Sequence, residues 1–174
     1  MEINDYLRPL FQRLHENLGR SAQGLTQEQL HWCPAEGSNH IAFCMWHYTR
    51  SEDNLVRWTF QNRRPTVWLE EGWNEKFGMD RARQGTGMTP QEAAAIRFPA
   101  IDEFLTYMGH VWQSTDDFLV SATPADLKRA ITGNYRPGTP IADVLGYMLA
   151  HGSGHLGQIW TVRGLMGKGQ ESPI

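Results

Sequence analysis

Apolar residues recur along this chain at spacings of three and four, while runs alternating apolar with polar are missing, so the pattern predicts helices and no sheet. The first helix covers about residues 2 to 19, with Ile3, Tyr6, Leu7, Leu10, Phe11, Leu14 and Leu18 on its apolar stripe and Gly19 near its end. Pro9 predicts a kink there, or a start closer to that residue. Leu25 to Gly37 reads as turns around a short helix opened by Thr26, with Gln29 three positions on to complete a capping box. Ser38 or Asn39 caps a second long helix that runs to about Asn62 and stops before Pro65. From Pro65 to Met88 the pattern is irregular, and Trp68, Trp73 and Phe77 either pack that loop down or cover a pocket. Thr89, Pro90 and Glu92 open a third helix carrying Ile101, Phe104, Leu105, Met108, Val111, Trp112, Phe118 and Leu119, which Pro99 must kink or split. Thr123-Pro124 starts a short turn, Gly133 to Gly138 is loop, and Thr139-Pro140 opens the fourth helix, ending near Gly164 to Gly167. The sum is an all-α four-helix bundle with a long connection between helices 2 and 3.

Two faces of this bundle are chemically unusual. On the fourth helix Val144, Met148, His151, His155, Ile159 and Val162 form one stripe at spacings of four, three, four, four and three, which points both histidines inward. Residues i and i+4 lie one turn apart on one face, so two imidazoles there can reach one ion without backbone strain. The alternative is two core histidines, each bonded to a carbonyl or a water. On the second helix His40, Phe43, His47, Ser51, Asn54 and Trp58 share a face whose middle is polar for a core stripe, suiting either a site wall or a partly solvated surface. Of the five remaining histidines (His15, His31, His40, His47 and His110), His47 is the best third ligand, being mid-helix on that face.

Composition narrows the function classes. The 174 residues suit one domain spanning 1–174. A hydrophobic share of 40% and a charged share of 20% are those of a globular protein. The net charge of -3, without blocks of like charge, gives no reason to expect nucleic acid as a partner. No membrane span and no signal peptide are legible, so a cytoplasmic location is expected. Cys33 and Cys44 give no disulfide framework; Cys44, one turn before His47, either faces the site or serves as a small buried hydrophobe.

The segment Met45-Trp46-His47-Tyr48-Thr49-Arg50-Ser51-Glu52-Asp53, followed about a hundred residues later by His151-Gly152-Ser153-Gly154-His155-Leu156-Gly157-Gln158-Ile159, resembles the DinB-like superfamily of metal-binding four-helix bundles, which includes bacillithiol- and mycothiol-dependent transferases. The likeness takes in Leu25 to Leu30, Pro34 and the ending Arg163 to Gly167. It implies a divalent metal on His47, His151 and His155. Zinc is favoured by availability, with nickel or iron as alternatives. The related domain of iron-dependent sulfoxide synthases has a glutamate where Gly157 stands here, which counts against that chemistry. The resemblance also implies a homodimer and a small-molecule substrate, with a low-molecular-weight thiol as a second cofactor.

Such a site would serve transfer of a low-molecular-weight thiol or hydrolysis of a small substrate, assisted by Tyr147, Gln158 or Glu52 as nearby acid–base groups. Against these stand ordinary roles: a packed ring for Tyr147, an interhelical contact for Gln158, a solvated helix face for Arg50, Glu52 and Asp53. The other class of function is a non-catalytic binding or stress-response bundle whose metal is structural or absent.

Overall fold

The computed structural model describes residues 3–133 and 135–169. Glu2, the expected first residue of helix 1, and Asn134 in the expected 133–138 loop lie outside them. The elements in chain order are α1 (Ile3–Ala22), α2 (Gln27–Leu30), α3 (Ile41–Asp53) continued by a π-helical segment (Asn54–Phe60), α4 (Val67–Glu70), α5 (Trp73–Lys76), α6 (Pro90–Ala94), α7 (Ile101–Ser121), α8 (Pro124–Lys128) and α9 (Ile141–Leu165). Among the described residues there is no sheet, only an isolated bridge between Ala130 and Pro140. The four long helices α1, α3, α7 and α9 form the bundle, α3 packing on α9 and α7, and α1 on α7 and α9.

Gly152 lets α9 come close to its neighbours. A Cβ there would lie 2.5 Å from Leu14 Cδ2 on α1 and 2.7 Å from the Tyr48 ring on α3. The crossing point sits between His151 and His155, so it also fixes how far those histidines stand from α3.

Several helix ends differ from the sequence reading, each for a local reason. Helix α1 continues through Pro9 from Ile3, rather than starting near the proline. His40, not Ser38 or Asn39, caps α3: its Nδ1 accepts the Phe43 N–H at 3.0 Å, while the Ser38 hydroxyl donates back to the Ala35 carbonyl. Pro140 rather than Thr139 holds the cap position of α9, with no side-chain hydrogen bond. The third helix is split, not kinked. Phe98, just before Pro99, donates its N–H to His31 Nε2 and stacks on Phe104 at 4.2 Å, which leaves α6 as a separate five-residue helix and starts α7 at Ile101.

The connection expected to be irregular over 65–88 holds the one-turn helices α4 and α5. Four-residue helices are below the length at which periodicity registers, and α4 forms because the Asp53 carboxylate accepts the Val67 and Trp68 N–H groups at 2.9 and 3.0 Å. Trp68, Trp73 and Phe77 are buried. At roughly 1.5–3 kcal/mol per large apolar side chain removed from water, they anchor this connection on the bundle. The core divides into a cluster around Trp46, Trp68, Phe98 and Phe104 and another around Phe11, Phe60, Phe118 and Ile141.

Candidate metal centre

His47 on α3 and His151 and His155 on α9 come together, each offering one ring nitrogen, with those nitrogens within 4.8 Å of one another. The rings meet edge to face, His47 standing 5.2 Å from each of the other two by centroid. The flanking stripe residues Val144, Met148, Ile159 and Val162 are buried, whereas His151 and His155 are only half-buried. The inward stripe therefore holds, and His151 on it reaches a cavity wall rather than a sealed core.

Second contacts decide which nitrogen His47 and His155 present. His47 Nδ1 lies 2.5 Å from the Gln84 carbonyl, which can only accept, so Nδ1 carries the proton and the Nε2 lone pair is free. Gln158 Oε1 does the same for His155, accepting from Nδ1 at 2.9 Å. The Nε2 atoms of His151 and His155 are 2.9 Å apart. Two nitrogens bound tetrahedrally to one zinc at 2.0–2.1 Å would stand about 3.3 Å apart, so a small opening of the pair accommodates an ion. Burial first, then the neighbouring histidines, pushes His155 down to about 4, and burial and His47 lower His151. Both are neutral near pH 7, as metal ligation requires. The donor set, the fixed tautomers and the convergence fit a divalent cation.

The loop Asp80 to Met88 is strapped across His47. Besides the Gln84 carbonyl, the Gln84 side chain accepts from Asn54 Nδ2, and Arg50 Nε donates to the Arg83 carbonyl at 3.1 Å. Gly85, at φ +91°, is pressed so close that a Cβ would lie 2.7 Å from His47 Nδ1.

Beside the histidines opens a cavity of about 940 Å³ lined by His47, Ser51, Asn54 and Trp58 of the polar α3 face, by Met148 and His151 of α9, and by Arg50, Arg81, Tyr135, Arg136 and Tyr147. It lies between the two core clusters, touching Leu55 of one and Leu69 at the edge of the other. The π-helical segment contributes Asn54, Leu55, Trp58 and Thr59 to this wall. Such wide turns recur at functional sites.

The family model of the DinB superfamily matches residues 10–159. The chain belongs to the DinB superfamily. A crystal structure of a conserved protein from Enterococcus faecalis is similar over 97% of this chain and 99% of that one, with a TM-score of 0.83 at 23% identity, a likeness of fold. No protein with a curated description matches the chain.

In this DinB bundle the other sequence-predicted groups fall in different places. Tyr147 lines the cavity, its ring 4.1 Å beneath the Arg136 guanidinium. Gln158 holds His155, and its Oε1 also accepts from Cys44 Sγ at 3.4 Å. Burial pushes the Cys44 thiol up to about 12, so it stays a neutral, unreactive thiol. Glu52 does not line the cavity. It is fully buried, accepting from His15 Nε2 at 3.0 Å and Thr115 Oγ1 at 2.5 Å, and so ties α3 to α1 and α7. Nor do Arg50, Glu52 and Asp53 form a solvated face: all three are buried, and Arg50 NH1 reaches Asp53 Oδ2 at 3.4 Å. The remaining histidines have other work: His15 meets Glu52, His31 bonds Gln27 and Phe98, His40 caps α3, and His110 meets Glu71 at 2.6 Å.

Sequence reasoning missed the loop residues at the site. Gln84, Arg81 and Arg136 sit in stretches without periodicity, marked only by loop glycines: Gly85 and Gly87 near the first two, Gly133 and Gly138 around the third. Among the described residues no helix is long and apolar enough to cross a membrane.

Proposed function

We propose that this chain is a metal-dependent enzyme that uses His47, His151 and His155 to act on a small molecule, transferring a low-molecular-weight thiol to an electrophile or hydrolysing a small substrate. Zinc is the favoured ion, nickel or iron the alternatives, and the working unit is a homodimer. The single observation that carries this reading is that two of the three clustered imidazoles, those of His47 and His151, line a cavity of about 940 Å³ instead of being closed over by protein. Structural metal sites are closed, catalytic ones keep a position open, and a cavity of this size is ample for a small-molecule ligand.

A divalent cation held there would supply Lewis acidity, the property that lets a thiol or a water ionise near neutral pH. The chain's own residues do the positioning. The Gln84 carbonyl and the Gln158 amide oxygen hold the protons of His47 and His155 on Nδ1 and fix both ring planes; loss of such partners costs tenfold or more in metal affinity in comparable sites. Trp58 and Tyr147 offer aromatic faces to a substrate, while Asn54 and Ser51 offer polar atoms. The buried Cys44 is no nucleophile, so a transferred thiol must come from a second molecule.

The test is metal content and open coordination. Plasma mass spectrometry of protein purified without an affinity tag should find close to one divalent ion per chain. The visible spectrum of the cobalt-substituted protein should shift when a small thiol is added. A metal-free protein that cobalt does not stabilise would refute the reading, and a cobalt spectrum indifferent to thiol would refute thiol transfer and leave hydrolysis.

A further inference from the structure

The cavity wall is lopsided in charge. Arg50, Arg81 and Arg136 line it, and no aspartate or glutamate does among the described residues, although acidic residues outnumber basic ones, 19 to 16, in the whole chain. The three arginines are not alike. Arg50 is buried and largely spoken for, with NH1 toward Asp53, Nε on the Arg83 carbonyl and its guanidinium 4.9 Å above the Trp68 ring. Arg81 and Arg136 are exposed to the cavity mouth, and neither has a carboxylate within ion-pair distance among the described residues.

Arg136 is also held in place at a cost. Its φ of 43° lies in the left-handed region, where a side-chain-bearing residue costs about 1–2 kcal/mol. The guanidinium is stacked over Tyr147 at 4.1 Å and over Tyr135 at 5.8 Å, and among the described residues its planar donor edge has no hydrogen-bond partner. Arg81 comes from a different loop, the strap that fixes His47 through Gln84. Two guanidiniums from separate loops, without a carboxylate partner among the described residues, thus share one cavity with two of the three clustered imidazoles.

We propose that this cavity takes an anionic small molecule, its carboxylate or phosphate held by Arg81 and Arg136 at the mouth and its reacting end directed to His47 and His151. The anion-binding half stands on the arginines alone; the direction of the reacting end rests on the metal-dependent reading above. Guanidinium forks match the two-oxygen edge of either group, so carboxylate and phosphate are both admitted by the wall. The positive field also predicts that binding weakens as salt rises.

The experiment is isothermal titration calorimetry on zinc-loaded and on metal-stripped protein with three probes: succinate, inorganic phosphate and the neutral succinamide. One or both anions should bind both forms. Each of Arg81→Gln and Arg136→Gln should weaken that binding roughly tenfold, about 1.4 kcal/mol, without moving the thermal midpoint, and succinamide should not compete. The anion that binds more tightly identifies the group. Succinamide binding as well as succinate would overturn the proposal. So would equal anion affinity in parent and double variant, or no anion binding in either form. Arginine-dependent binding in a protein that takes up no metal would sustain the anion site while refuting the proposed enzyme.

Discussion

Replacing Gly85 by alanine should cripple metal binding while leaving the bundle folded. The new Cβ would lie 2.7 Å from His47 Nδ1, 3.1 Å from Cγ and 3.2 Å from Cβ, where ordinary contact begins near 3.4 Å. Ring and loop must therefore separate by about 0.7 Å, several times the ±0.2 Å within which metal–ligand distances are held. The movement also pulls His47 from the Gln84 carbonyl that fixes its tautomer. Loss of such an outer partner costs about 10- to 100-fold in metal affinity, or about 1.4–2.7 kcal/mol. Gly87→Ala is the matched control. Gly87 has φ +78° and nothing within 4 Å of its Cβ direction, so it suffers the same left-handed backbone penalty of about 1–2 kcal/mol without touching the imidazole. The assay is cobalt titration in competition with a chelator, beside urea unfolding of the metal-free proteins. Gly85→Ala should lose at least as much stability as Gly87→Ala, and only Gly85→Ala should lose affinity. Equal affinities in parent and both variants would show that the loop does not hold His47 for the metal.

Three further outcomes follow from the packing and the buried charges. Gly152→Ala should lower stability by about 1–3 kcal/mol in urea unfolding, because its Cβ would stand 2.5 Å from Leu14 Cδ2 and 2.7 Å from Tyr48; a loss below about 0.5 kcal/mol would contradict the close crossing. Glu52→Gln should cost about 1–3 kcal/mol by weakening the bonds from His15 and Thr115, with cobalt affinity unchanged within twofold; the reverse pattern would put Glu52 in the site after all. Burial first, then His31 and Arg97, holds His40 at about 4 against an ordinary 6.5, so between these values the unfolded chain takes up a proton that the folded one refuses. Stability from this group is complete above about pH 6.5 and falls as pH drops toward 4, by up to about 3 kcal/mol. His40→Asn, which keeps a capping acceptor but does not titrate, should show a shallower acid loss in urea midpoints; an identical pH profile would refute the assignment.

The bundle and the histidine triad were legible because both are written in helical periodicity: His151 and His155 one turn apart on a stripe, His47 on a face continuing through Ser51 and Asn54 into the cavity wall. The rest depends on partners remote in the chain. Arg50, Glu52 and Asp53 look like a solvated charge run until α1, α4 and α7 bring His15, the Val67 and Trp68 amides, and Thr115 against them. The cap of α3 was misplaced because a histidine imidazole took the role that serine and asparagine more often fill. The anionic preference of the cavity was invisible since Arg81 and Arg136 lie in loops, where no repeat marks which side chains converge.

As proposed, His47, His151 and His155 jointly hold one divalent cation with a coordination position left toward the cavity. Anomalous difference maps from crystals of untagged protein, collected across the zinc, nickel and iron edges, test it most directly. One peak is expected, about 2.0–2.1 Å from the Nε2 atoms of all three histidines if the ion is zinc, with a non-protein ligand on its cavity side. A fully refined structure with no peak there, or with a metal coordinated by a fourth protein side chain, would contradict it.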